Sequence, residues 1–207
     1  MEIVRSIDTV RGRIRITFES GWQVWLLKTD PAGSRLAEGS EVDREKLLKH
    51  LLLRQYPPAL SRAVSMLAAR ACSRKEIESA LIRNHYDPEV VRMVLLKLDQ
   101  QNLLDDRDFA VQWVQSRMKK YGSGRIQQEL RRKGVDEEAA RAAMESDSEE
   151  EQLEHAVAFA AKKLSSLRGS DDRRKQVRLT VNALVRRGYS WETALRAADL
   201  AMAQSDS

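Results

Sequence analysis

Cysteine is nearly absent: Cys72 stands alone in 207 residues, so no internal disulfide can form and a reducing compartment suits the chain. Histidine is scarce too. His50, His85 and His155 lie far apart, which excludes a zinc site built from Cys and His and leaves solvated or capping roles. Aliphatic runs are as short as Leu51-Leu52-Leu53, far from spanning a bilayer. Arg5, Asp8, Arg11, Arg13 and Arg15 interrupt the N-terminus, so it holds no signal-peptide core. Catalytic motifs are missing as well: there is no Gly-x-Ser-x-Gly, no phosphate loop and no paired-His metal motif. The carboxylate pairs Asp105-Asp106 and Asp171-Asp172 precede predicted helices, where capping and the helix dipole account for them; Ser148 with Glu149-Glu150-Glu151 reads the same way. These absences point to a cytoplasmic protein that is no enzyme, needs no cofactor and makes no membrane contact.

Charge is plentiful and banded. The chain carries 36 Lys+Arg against 31 Asp+Glu, a net +5. Residues 107–134 hold eight cations against Asp108 and Glu129, whereas in 136–154 only Arg141 opposes nine acids. Basic character returns over 168–187.

The first thirty residues follow a period of two. Arg13-Ile14-Arg15-Ile16-Thr17-Phe18 alternates polar and apolar, Glu19-Ser20-Gly21 turns, and Trp22-Gln23-Val24-Trp25-Leu26-Leu27 returns, which predicts a hairpin. Residues 3–10 supply a third strand. After a loop over 30–39, Ser40-Glu41-Val42-Asp43 offers caps for a helix whose Leu47, Leu48, Leu51 and Leu52 share one face against the sheet. Pro57-Pro58 should end that helix near Tyr56.

Beyond Pro58 the period becomes 3.6 and one template recurs. Leu81-Ile82-Arg83-Asn84-His85-Tyr86, Leu130-Arg131-Arg132-Lys133-Gly134-Val135 and Leu184-Val185-Arg186-Arg187-Gly188-Tyr189 lie 49 and 54 residues apart (130 minus 81, 184 minus 130). Leu is the last core residue of a helix, the cations sit in its final turn, and Gly forms a left-handed cap. His85 replaces that Gly, so the first cap should be looser or differently built. Each template sits between amphipathic helices, giving three three-helix modules at 60–104, 105–146 and 148–204 behind a sheet-plus-helix extension at 1–56. The fold class is therefore mainly α, with modules expected to stack into an elongated, curved array.

Most candidate site residues have a bland explanation. Cys72 has no histidine partner and is a bystander. Trp22 and Trp25 face opposite sides of a strand, and packing on the first helix explains them better than an exposed contact role. Trp113, four after Phe109, is core, while Trp191 fits either role. The cations compete on fair terms. Arg117, Lys119, Lys120 and Arg125 surround the flexible turn Tyr121-Gly122-Ser123-Gly124. Arg131, Arg132 and Lys133 close the next helix, and Arg173, Arg174, Lys175, Arg178, Arg186 and Arg187 repeat the arrangement. Solvated, dipole-matched helix ends explain about half of them. The rest can form a stripe for phosphates or an acidic protein groove, and their place at helix C-termini suits backbone contact over base reading.

At this point the residues point to a family. Leu103-Leu104-Asp105-Asp106-Arg107-Asp108-Phe109-Ala110-Val111-Gln112-Trp113-Val114-Gln115-Ser116-Arg117 resembles the signature of the RecX family, bacterial regulators of the RecA recombinase. Gly124-Arg125-Ile126-Gln127-Gln128-Glu129-Leu130-Arg131-Arg132-Lys133-Gly134-Val135 is similar to its second half, and Ser73-Arg74-Lys75-Glu76-Ile77-Glu78-Ser79-Ala80-Leu81 to the family's opening helix pair. Asn102-Leu103 departs from a frequent Gly-Tyr, and His85 from a usual Gly. The resemblance implies a monomeric, non-enzymatic regulator that lies on the RecA–single-stranded DNA filament. It would oppose strand exchange, ATP hydrolysis and coprotease activity, and so modulate repair, recombination and the SOS response, meeting DNA through the filament. A general DNA-binding helical module without a recombinase target is the alternative.

Overall fold

The computed structural model describes residues 1–10, 12–145, 148–167 and 172–205. The chain forms two compact units, Met1–Asp105 and Asp106–Ser207.

In the first unit, β1 (Glu2–Val10), β2 (Arg13–Phe18), β3 (Gln23–Leu27) and β4 (Glu41–Val42) form an antiparallel sheet of order β3-β2-β1-β4. The register of β1 against β2 slips between Val4 and Ser6. Alternation puts Val4, Ile16, Phe18, Val24 and Leu26 on one buried face, against Leu47 and Leu51. Trp22 stacks on Phe18 at 4.7 Å with the Arg44 guanidinium over it and is half-buried. The expected loop at 30–39 contains a short helix, α1 (Pro31–Arg35). Asp30 caps it by accepting the Ala32 amide at 2.9 Å, and Pro31 presets its first turn.

The helix predicted to stop near Tyr56 does not stop. α2 runs unbroken over Arg44–Ala69 with Pro57 and Pro58 inside it. Asp43 caps its start, accepting the Glu45 and Lys46 amides. The two prolines deprive the Leu53 and Arg54 carbonyls of helical donors, and both residues are exposed, so water can replace those bonds. The remaining cost, about 3 kcal/mol for an interior proline, is offset because α2 serves two cores. Leu47 and Leu51 lie under the sheet, while Ala59 and Ala63 lie against α3 (Arg74–Arg83) and α4 (Pro88–Gln100). Between them the fully buried Gln55 donates to the Trp25 carbonyl and accepts the Asp87 amide at 2.9 Å. Sheet and first module are thus one packed body.

All three templates close the same way. Tyr86 donates to Leu81 O at 3.2 Å, Val135 to Leu130 O at 3.2 Å and Tyr189 to Leu184 O at 3.3 Å, each across a residue with positive φ. His85 takes φ 59 and so builds the same cap as Gly134 and Gly188, where a looser or differently built cap was expected. Its ring stacks on Trp25, centroids 3.9 Å apart, a contact that offsets the unfavourable backbone. Asn102, with φ 53, closes α4 by the same bond, from Leu103 to Leu98 O.

Asp87 caps α4 from a buried position, and desolvation first of all raises its pKa above the ordinary 3.8, against the lowering bond from the Glu89 amide. A raised carboxyl stabilises the fold fully below pH 3.8, and that contribution is lost as pH rises through the folded value. Asp87→Asn keeps a neutral capping oxygen at every pH. Its melting temperature should exceed the wild type's at pH 7 and match it near pH 3, whereas equal values at both pH would show that the ionised group costs nothing.

The second unit holds two three-helix modules. α5 (Asp106–Arg117), α6 (Ser123–Arg132) and α7 (Glu137–Met144) enclose Phe109, Ala110, Val114, Ile126, Leu130 and a row of alanines. α8 (Glu149–Ser165), α9 (Arg173–Arg186) and α10 (Trp191–Ser205) enclose Ala156, Ala160, Leu184, Ala194, Ala197 and Ala198. Ser148 and Asp172 cap α8 and α9 as predicted, accepting the Glu151 and Lys175 amides. Asp171, paired with Asp172 in the sequence, and Arg168, where the last basic band begins, lie outside the described residues.

Candidate functional site

The predicted cations divide into two populations. Arg117, Arg125, Lys133 and Arg187 are half-buried and packed on aromatic rings. Lys133 Nζ lies 4.0 Å from the Trp113 centroid, and Arg117 Cζ lies 4.4 Å from it. Arg125 covers Tyr121 at 3.9 Å, and Arg187 covers Phe159 at 4.0 Å. Glu129 anchors the row. It accepts from Arg125 Nε at 3.1 Å and from Trp113 Nε1 at 3.2 Å, and pairs with Arg117 at 3.6 Å. Each cation–ring contact contributes about 0.5–2 kcal/mol according to its desolvation. Ring packing and the Glu129 bonds thus account for these four cations within the fold.

The turn read as flexible is pinned. Gly122 donates to Arg187 O at 3.0 Å and Gly124 to Gly188 O at 3.1 Å. Arg187 also donates to Lys120 O at 2.8 Å. The ends of α5 and α9 are thereby tied to the start of α6, with exposed Lys119, Lys120 and Arg186 beside the tie and Arg131 and Arg132 in the last turn of α6. Lys119 and Lys120 follow α5, Arg131 and Arg132 close α6, and Arg186 closes α9. Arg125, Arg132 and Arg186 line a single groove with Gln128 and Glu129. Among the described residues no group of three or more His, Cys, Asp or Glu could hold a metal.

The remaining candidates do not join this cluster. Arg173, Arg174 and Lys175 occupy the first turn of α9, not a helix C-terminus as expected, with Arg178 on the next turn. A rise of 1.5 Å per residue puts Arg173 about 20 Å and Arg178 about 12 Å along the helix from Arg186. The predicted stripe is therefore two patches, one at each end of α9. Trp191, left undecided by the sequence, stands beside the second patch and is 62% exposed.

The three modules coincide with three recognised domains. Residues 59–98 match the first three-helix domain of RecX, 105–144 the second and 149–197 the third. The Regulatory protein RecX of Amycolatopsis mediterranei is 40% identical over 138 residues, covering 65% of this chain and 78% of that protein. That of Prosthecochloris aestuarii is 38% identical over 144 residues, covering 68% and 91%. The chain belongs to the RecX family. A crystal structure of regulatory protein RecX superposes with a TM-score of 0.65 at 25% identity, over 96% of this chain and all of that one. The RecX of Lactobacillus salivarius shares the fold at 23% identity, TM-score 0.61, over 70% of this chain and 97% of its own. The family assigns a regulatory role, and among the described residues no helix is long and apolar enough to cross a membrane.

Proposed function

We propose that this chain binds filaments of RecA on single-stranded DNA and inhibits strand exchange, ATP hydrolysis and coprotease activity without catalysing a reaction itself. It would act as a cytoplasmic monomer, meet DNA through the filament, and so restrain recombination and the SOS response. The target comes from the resemblance to RecX regulators. The observation that carries the mode of action is the basic junction, where Lys119, Lys120 and Arg186 stand at the ends of α5 and α9 that the Gly122, Gly124 and Arg187 bonds tie to the start of α6, and Arg132 of α6 shares a groove with Arg186. Exposed cations on a fixed frame suit an extended anionic surface, which needs no base-reading helix. In a purified assay, adding the protein to recombinase filaments should suppress ATP hydrolysis and joint-molecule formation, with binding that weakens as salt rises. Full hydrolysis at saturating protein would overturn the proposal. Equal affinity for bare single-stranded DNA would favour the general DNA-binding alternative.

A further inference from the structure

The far end of α9 sets exposed cations beside an open apolar groove. Its first turn holds Arg173, Arg174 and Lys175 and no acid, although the dipole disfavours cations there. These arginines, with Arg178, rim a groove of about 610 Å³ between α9 and α10. Val177 and Val181 form one wall, and Trp191 with Leu195 forms the other. Trp191 is 62% and Leu195 41% exposed, so a large apolar surface faces solvent inside a cationic frame, and among the described residues that line it none is acidic. A rule of local charge broken beside an exposed apolar patch marks a surface built for contact.

We infer that this groove docks an acidic peptide segment through one or two bulky apolar side chains seated against Trp191, Val177 and Val181. Charge complementarity selects the acid: carboxylates flanking the anchor would meet the Arg174 and Arg178 guanidinia in forked hydrogen bonds. The aliphatic walls select the anchor. A nucleobase there would bury polar edges against Val177, Val181 and Leu195, which offer neither donor nor acceptor, whereas a Leu or Phe side chain loses nothing. An apolar groove is also a recurring seat for the apolar face of an amphipathic helix. The site is separate from the basic junction.

The test uses the full chain without recombinase, so its failure leaves the filament proposal standing. The probe is a fluorescein-labelled, glutamate-rich 15-residue peptide with Leu and Phe at helical i, i+3, i+7 spacing. Its controls are the same peptide with Leu and Phe replaced by Ser, and a 20-nucleotide oligothymidylate. Fluorescence anisotropy should give a Kd of about 10 μM for the probe, weakened roughly tenfold or more by Trp191→Ala and by Arg174→Glu/Arg178→Glu, and by the serine replacement. Trp191 is exposed, so circular dichroism should show each variant folded. Absence of binding at about 1 mM overturns the proposal. So does probe affinity unchanged by Trp191→Ala. Oligothymidylate that displaces the probe and itself depends on Trp191 would also overturn it, giving the groove to nucleic acid.

Discussion

Gly122→Ala should cost the Asp106–Ser207 unit about 3 kcal/mol and lower its melting temperature by more than roughly 10 °C. A Cβ at this position would lie 2.4 Å from the Tyr189 amide nitrogen and 2.5 Å from the Gly188 carbonyl carbon and oxygen. The obstacle is backbone on both sides, and neither side can swing away as a side chain would. The same modules are tied by the Gly122-to-Arg187 and Gly124-to-Gly188 hydrogen bonds, so relieving the clash means losing them. Gly188→Ala should behave alike, because its Cβ would meet Arg125 at 2.4 Å and its φ is +91. Gly39→Ala is the control. It too has positive φ, +81, but faces open space, and should cost only about 1–2 kcal/mol. Urea titrations of the four proteins measure this directly. A loss below about 1 kcal/mol at Gly122 would mean that the two modules accommodate each other loosely.

Charge reversal at the basic junction should produce the largest functional change. Arg131→Glu/Arg132→Glu/Arg186→Glu replaces three exposed cations and is expected to weaken inhibition of recombinase filaments by roughly tenfold to a hundredfold. Unfolding free energy should stay within about 1 kcal/mol, since no ring or buried carboxylate depends on these side chains. Lys133 belongs outside the set despite its neighbours in sequence. Its ammonium lies 4.0 Å from the Trp113 centroid and 5.5 Å from that of Phe109, so Lys133→Glu would put an anion on two ring faces and weaken the fold. Strand-exchange titrations with both variants separate the roles. Inhibition unchanged in the triple variant would remove the junction from the mechanism.

Much of this fold was legible because its punctuation is local. A leucine, a cation and a residue of positive φ, glycine in two cases and His85 in the first, define a helix end, and all three such ends exist with equivalent bonds. What escaped was decided by partners far along the chain. Pro57 and Pro58 carry a stop signal that α2 overrides, since Leu51 and Ala59 on either side are each committed to a different core. His85 takes a glycine's conformation because Trp25, sixty residues earlier (85 minus 25), stacks on its ring. For the candidate site, the sequence named the cations but not which of them pack on rings and which stand exposed. Arg117 four residues after Trp113 hinted at a ring contact, but Lys133 reaches the same ring only through the packing of α6 on α5. The Trp191 groove left one readable trace: Asp172 caps a helix whose first turn is all cation, an order that stability alone would reverse.

The unbroken α2 gives the amino-terminal sheet a fixed bearing. Because a single rod enters under the strands and leaves among α3 and α4, with Gln55 fastened to both sides, the sheet cannot swivel independently of the first module. It works as a handle: a probe fixed to an outer strand would report the heading of that module wherever the chain is bound.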